Sequence, residues 1–149
     1  HAYVFGEHGD TSFVPWSLGN ISNVAIDQYS KCLTDKDIKS PELIFEEVEN
    51  YIRTSGAKII ARKGATFYAV AASVAHICKC LFSRIDTTLT VSTMMHGEYG
   101  IDDVCLSTLS LVGPDGLASK VIAPLTEEET ALLHKSADSL KAVIAGIKL

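Results

Sequence analysis

The chain has 149 residues, of which 47% are hydrophobic and 21% charged, with a formal net charge of -5. That length and composition fit one domain able to bury a core without disulfides or metal, and they exclude a disordered chain. The acidic balance, with no basic stretch, argues against nucleic acid and anionic membranes as partners.

Four cysteines, Cys32, Cys78, Cys80 and Cys105, form no even framework of spacings, and they read as reduced, buried thiols in a cytoplasmic protein. No basic region followed by an apolar run opens the chain, so no signal peptide is expected. The first residue, His1, falls in the middle of a strand pattern, as in an excised part of a longer protein.

Ala2 to Phe5 reads as a short apolar strand. It runs into Gly6-Glu7-His8-Gly9-Asp10-Thr11, which sets one imidazole between two glycines and two carboxylates. The glycines free the backbone to turn sharply and let a ligand approach. Read from its neighbours alone, His8 is either an ordinary loop histidine beside a turn or a residue that gives and takes a proton near neutral pH. Pro15, which lacks an amide donor, predicts an edge or irregular strand over Ser12 to Ser17, and Trp16 reads as an aromatic anchor rather than a substrate contact. Gly19, Asn20, Ser22 and Asn23 predict a turn and then a short helical piece around Val24 to Tyr29. Lys31 to Lys39, alternating in sign, reads as a solvated loop.

The first long helix is announced by Ser40-Pro41-Glu42: a cap, a proline suited to the first turn and an acid at the positive end of the dipole. Leu43, Ile44, Val48, Tyr51, Ile52, Ile59 and Ile60 recur mostly at three and four residues, the amphipathic period. Gly56 is expected to weaken or kink it, and Arg62-Lys63-Gly64 to close it. A second helix follows from about Thr66 to Phe82, apolar nearly all round. It is marginal in length for a bilayer and carries His76 and Lys79, so it is predicted to be a central core helix. Thr66 at its mouth reads as a cap first and a substrate contact second. His76, Cys78 and Cys80 cannot be aimed at one ion from a single helical turn, so no metal is expected there.

The period then changes. Thr87 to Ser92 is β-branched and predicts a strand, Met95 to Gly100 a loop in which His96 is solvated, and Val104 to Val112 a second strand. Gly113-Pro114-Asp115-Gly116 is a strong turn into a third strand, Leu117 to Pro124, making an antiparallel hairpin. Thr126-Glu127-Glu128-Glu129 is a capping box, after which Leu133, Ala137, Leu140, Ile144 and Ile147 define one face of a terminal helix that packs on the domain or on a partner. The expected fold class is α+β, with antiparallel strands packed against long helices. No nucleotide fingerprint, phosphate loop, zinc spacing or nucleophile elbow is present. A lone catalytic histidine also needs a group to orient it and a clamp for its substrate, and neither is evident.

Gly6-Glu7-His8-Gly9-Asp10-Thr11 followed by Val14-Pro15-Trp16-Ser17 resembles the active-site signature of the NAD-dependent L-lactate dehydrogenases, of the lactate/malate dehydrogenase family. Lys63-Gly64-Ala65-Thr66-Phe67-Tyr68 looks like that family's helix start beside the substrate, Leu89-Thr90-Val91-Ser92 like its long strand, and Tyr99-Gly100-Ile101-Asp102-Asp103-Val104 like the turn after it. The resemblance covers essentially the whole chain. It implies the C-terminal, substrate-binding half (residues 1–149) of a bacterial-type enzyme that interconverts pyruvate and L-lactate, with the Rossmann half lying outside it and NAD bound mainly there.

By the same resemblance, His8 matches the proton donor and acceptor, Thr66 a residue lining the substrate pocket and Val70 a side chain packed near the nicotinamide. His1 matches a histidine in a site for the activator fructose bisphosphate between subunits, or is simply an exposed terminal residue. A cytoplasmic homo-oligomer, a homotetramer, is implied for the full enzyme. The orienting aspartate, the carboxylate-binding arginine and a mobile-loop arginine of the family lie upstream, so the chain alone is expected to be inactive. Two alternatives stay open: the domain of a malate or other 2-hydroxy acid dehydrogenase, and a non-catalytic oligomerisation module. Trp16 and the run from Thr11 to Val14 lean toward lactate.

Overall fold

The computed structural model describes residues 1–34 and 44–147. Two short strands, β1 (Asn20–Ile21) and β2 (Val24–Ala25), precede helices α1 (Phe45–Lys63) and α2 (Tyr68–Phe82). A three-stranded sheet follows, formed by β3 (Thr87–His96), β4 (Asp102–Gly113) and β5 (Gly116–Lys120), and helix α3 (Glu127–Ala145) closes the chain. The sheet is antiparallel in the order β3-β4-β5, so the expected α+β class holds.

The sheet is held by the β3–β4 ladder, which runs from Thr87↔Val112 to His96↔Asp102 with an irregularity between Met94 and His96. Val104, Leu106, Thr108, Ser110 and Val112 alternate along β4 with side chains buried on one face, the period of two that a half-covered strand imposes. Most of the core gathers on that face, Leu109 joining it from the alternate position. Phe5, Phe13, Met95, Ile101, Val104, Leu106, Leu109 and Ala123 pack with Leu133 and Ala137 of α3. Tyr99 closes one end: its hydroxyl donates to the Ala123 carbonyl at 3.1 Å and accepts from the Ala123 amide at 2.8 Å. Burial pushes the Tyr99 phenol up, against the opposing pull of its hydrogen bond to Ala123.

The capping box at α3 is formed as expected. Glu129 donates its amide to Thr126 Oγ1 at 3.1 Å, and its carboxylate accepts from the Thr126 amide at 3.0 Å. That carboxylate reaches further, accepting from the Ser17 amide at 2.9 Å and the Ser17 hydroxyl at 2.5 Å. Burial raises the Glu129 carboxyl, but the Ser17 and Thr126 hydrogen bonds outweigh it, and the net shift is downward. A group whose folded pKa is depressed contributes stability above its unfolded pKa, and that contribution is lost as pH falls through the folded value. Glu129→Gln should therefore lose about 1–3 kcal/mol at neutral pH, because its amide keeps one acceptor oxygen and turns an NH2 toward a backbone N–H, of Ser17 or of Thr126, that the carboxylate accepted from. In urea melts the gap to the parent should close as pH drops below the usual carboxylate range. A gap unchanged at pH 3 would contradict this account.

Several sequence expectations are corrected. Ser22 and Asn23 both have positive φ, at 52° and 64°, so the turn there joins β1 to β2 as a two-residue hairpin, where a helical piece around Val24 is expected. Positive φ at both central residues matches the twist of paired strands. The helical turn falls later, at Tyr29–Cys32. Gly56 does not break α1, which runs unbroken over its 19 residues to a left-handed cap at Gly64. Its expected start at Ser40-Pro41-Glu42 lies outside the described residues. Cys32 and Cys105 are exposed rather than buried.

The largest correction concerns α2, whose only buried residue is Cys80. Tyr68 is 72% exposed, Val74 54% and Phe82 88%. A helix apolar all round needs cover on every side, and the described residues leave most of this one open, its main contact being with β4. Among the described residues no helix is long and apolar enough to cross a membrane. The α1 stripe is likewise uncovered, with no buried residue, and on α3 the expected face is buried at Leu133 and Ala137 but open at Ile144.

Candidate active site

The loop that carries His8 is closed at its base by two bridges. Phe5 and Phe13 exchange amide-to-carbonyl bonds at 2.9 and 3.1 Å, and Gly6 and Ser107 of β4 do the same at 3.0 and 2.8 Å. The Phe5 and Phe13 rings meet edge-on at 6.3 Å inside the core. The first bridge thus joins the two ends of the loop to each other, and the second pairs one of them with β4 of the sheet. The expected strand from Ala2 is reduced to these bridges.

Within the loop, polar bonds define the arc. The Thr11 hydroxyl and amide donate to Glu7 Oε1, the amide at 3.2 Å. The Ser12 amide and hydroxyl both donate to the Gly9 carbonyl, at 3.2 and 2.9 Å. The Glu7 carboxylate is therefore spent on holding the turn. His8 is left exposed at its apex, and among the described residues its imidazole makes no hydrogen bond.

His8 opens into a cleft of about 900 Å³. Its walls are the loop itself, Ile52, Arg53 and Gly56 of α1, Ser73 and Ile77 of α2, Thr90 to Ser92 of β3 and Ser107 of β4. The lining mixes apolar walls with a few polar groups, the character of a small-molecule site. Gly56, expected to disrupt α1, instead lies on the cleft wall, with nothing within 4 Å of where a Cβ would stand.

Arg53 is a cleft residue that sequence reasoning missed. Its Nη1 donates to the Ser12 carbonyl at 3.0 Å and to Glu49 at 3.2 Å. Four residues after Glu49, it has the spacing of an ordinary helix-surface ion pair, which hides its reach toward the loop. Glu49 also accepts from Trp16 Nε1 at 2.8 Å, and the Trp16 ring stacks on Phe45 at 4.2 Å. Trp16 is thus the expected anchor, fastened to α1.

The other expected site residues are not gathered here. Thr66 and Val70 are exposed at the junction of α1 and α2 and do not line the cleft, although Ser73 and Ile77, further along α2, do. Thr66 does not cap α2 through its side chain; the residue at the cap is Phe67. His1 is exposed, its ammonium donating to the Asn20 carbonyl at 2.5 Å. His96 is exposed at the end of β3, as a solvated residue should be. His76 Nε2 lies 4.0 Å from Cys80 Sγ, and among the described residues no group of three or more His, Cys, Asp or Glu side chains is placed to hold a metal.

Residues 1–148 match the family model described as lactate/malate dehydrogenase, alpha/beta C-terminal domain. An L-lactate dehydrogenase of Acetivibrio thermocellus is 41% identical over 145 residues, covering 97% of this chain and 44% of that protein. Among solved structures, the minor L-lactate dehydrogenase of Enterococcus mundtii superposes with a TM-score of 0.87 at 30% identity, covering all of this chain and 46% of that one. The malate dehydrogenase of Archaeoglobus fulgidus in complex with NADH reaches 0.79 at 29% identity, covering 95% and 42%. The chain thus spans under half the length of the relatives it matches.

Proposed function

Since the chain belongs to the lactate/malate dehydrogenase family, as its α/β C-terminal domain, we propose that it is the proton-transfer and substrate-binding part of an NAD-dependent L-lactate dehydrogenase. The observation that carries this reading is the presentation of His8. A solvent-facing imidazole stands at the apex of a loop fixed at both ends and opens into a cleft of about 900 Å³. In that position it can protonate the carbonyl oxygen of pyruvate, and take the proton back from the hydroxyl of L-lactate. An imidazolium beside the oxygen also neutralises the alkoxide charge that develops there.

NAD, when bound, supplies or accepts the hydride. The residues present fit it in a limited way: Val70, 55% exposed on the uncovered face of α2, offers an apolar surface for the nicotinamide, and the chain brings no glycine-rich phosphate turn of its own. Thr66, on the same junction, is assigned to the substrate side. The carboxylate that sets the tautomer of the His8 imidazole and the cation that binds the substrate carboxylate come from the part of the enzyme that this chain does not span. The chain by itself should therefore neither bind NADH tightly nor reduce pyruvate, and micromolar binding in a calorimetric titration would contradict that. The full enzyme is proposed to act in the cytoplasm as a homotetramer, with the exposed His1 at a subunit-interface site for fructose bisphosphate.

The reading is tested by following NADH oxidation by the full-length enzyme with pyruvate and with oxaloacetate. Pyruvate should have the higher kcat/KM. A preference for oxaloacetate would move the assignment to malate dehydrogenase, in keeping with the likeness to the Archaeoglobus structure. Turnover of neither would leave a non-catalytic assembly module.

A further inference from the structure

We propose that Ser136, a residue of the last helix, is a positioning residue for His8, a role that rests on the reading of His8 as the proton carrier. Ser136 is fully buried, on the face of α3 that carries Leu133 and Ala137 into the core. A hydroxyl in that company needs polar partners, and both of them lie in the catalytic loop. The Glu7 amide, immediately before His8, donates to Ser136 Oγ at 2.7 Å across 129 positions of sequence. The Thr11 hydroxyl, three residues after His8, lies 3.1 Å from the same oxygen; its one proton goes to Glu7 Oε1, so it accepts from the Ser136 hydroxyl.

One oxygen therefore ties both flanks of the arc, and His8, Gly9 and Asp10 lie between them, with the Gly9 carbonyl held by Ser12. The Glu7 carboxylate closes the figure by accepting from Thr11, so that Glu7, Thr11 and Ser136 form a hydrogen-bonded triangle at the two flanks of His8. Ser136 reaches this place because Gly6 gives way to it: a Cβ at Gly6 would stand 2.6 Å from Ser136 Oγ. The Phe5–Phe13 and Gly6–Ser107 bridges fix where the loop leaves the sheet, and Ser136 fixes how its tip is turned. A proton carrier must sit within hydrogen-bond reach of the reacting oxygen, so turning the tip by about an ångström costs rate without costing substrate affinity in proportion.

The test uses the full-length enzyme, with active sites counted by fluorescence titration of NADH. Ser136→Ala should lower kcat per NADH site by about 10- to 100-fold, with KM for pyruvate within about threefold of the parent. Thr11→Val should move the same way, and Thr11→Ser, which keeps the hydroxyl, should restore most of the rate. Wild-type kcat per site in Ser136→Ala would overturn the proposal, as would a rate lost only in proportion to lost NADH sites. If Ser136→Ala does not fold, the Thr11 pair decides: Thr11→Val at the wild-type rate, or Thr11→Ser as slow as Thr11→Val, overturns it. Failure of the underlying reading has a different signature, namely a His8→Asn enzyme that still turns over.

Discussion

Replacing His8 by Asn in the full-length enzyme is expected to lower pyruvate turnover by about a thousandfold, within the range that a positioned general acid contributes. Asn keeps a polar group of similar reach and can still donate a hydrogen bond, but it cannot pass a proton to the oxygen that hydride transfer leaves negative. Because His8 is exposed and has no hydrogen-bond partner among the described residues, its replacement disturbs no bond of the loop. The fold should hold, and the thermal midpoint should stay within about 2 °C, as for surface changes away from special features. NADH affinity should change by less than about threefold. Stopped-flow measurement of NADH oxidation in a single turnover reads the chemical step directly. A single-turnover rate equal to the parent's would show that the imidazole carries no proton in the reaction.

The elements and their order were largely legible because local rules govern them. The capping box at Thr126 and Glu129, the left-handed cap at Gly64 and the tight turn at Pro114 and Asp115 all depend on residues close in sequence. The exposure of α2 was not legible, because periodicity shows that a helix is apolar on every side and not what covers it. The site divides in the same way. His8 and its glycines stand out in the sequence, and the family resemblance gives them a meaning. Ser136 and Arg53 do not stand out: one lies 129 positions from its partner and looks like a small residue on a core face, and the other looks like half of a helix-surface pair. What could have marked Ser136 is its placement between Leu133 and Ala137, since a hydroxyl on a buried face must bond to something.

Nor are the two glycines beside His8 equivalent, although the sequence presents them as a pair, and this leads to the largest expected effect on stability. Gly6 has a φ of +97°, and a Cβ there would stand 2.6 Å from Ser136 Oγ and 3.2 Å from Ser136 Cβ. Gly9 has no positive φ, and its Cβ would meet only the Glu7 carboxylate, at 3.1 Å. Gly6→Ala should combine backbone strain of roughly 1–3 kcal/mol with an overpacking cost of similar size, for a total of about 2–5 kcal/mol in urea unfolding. The serine hydroxyl cannot swing aside without giving up the Glu7 amide and the Thr11 hydroxyl, so the clash is not relieved cheaply. Gly9→Ala adds no strain from a positive φ and needs the Glu7 carboxylate to give only a few tenths of an ångström against its Thr11 bonds, so it should cost about 1–2 kcal/mol, less than Gly6→Ala. Pairing Gly6→Ala with Ser136→Gly separates the two contributions: removing the hydroxymethyl group should return about 1 kcal/mol or more of the loss as a coupling energy, and the remainder is backbone strain. Strict additivity would assign the whole penalty to φ, and a Gly6→Ala protein as stable as its parent would mean that the loop does not hold the turned backbone on which the placement of His8 depends.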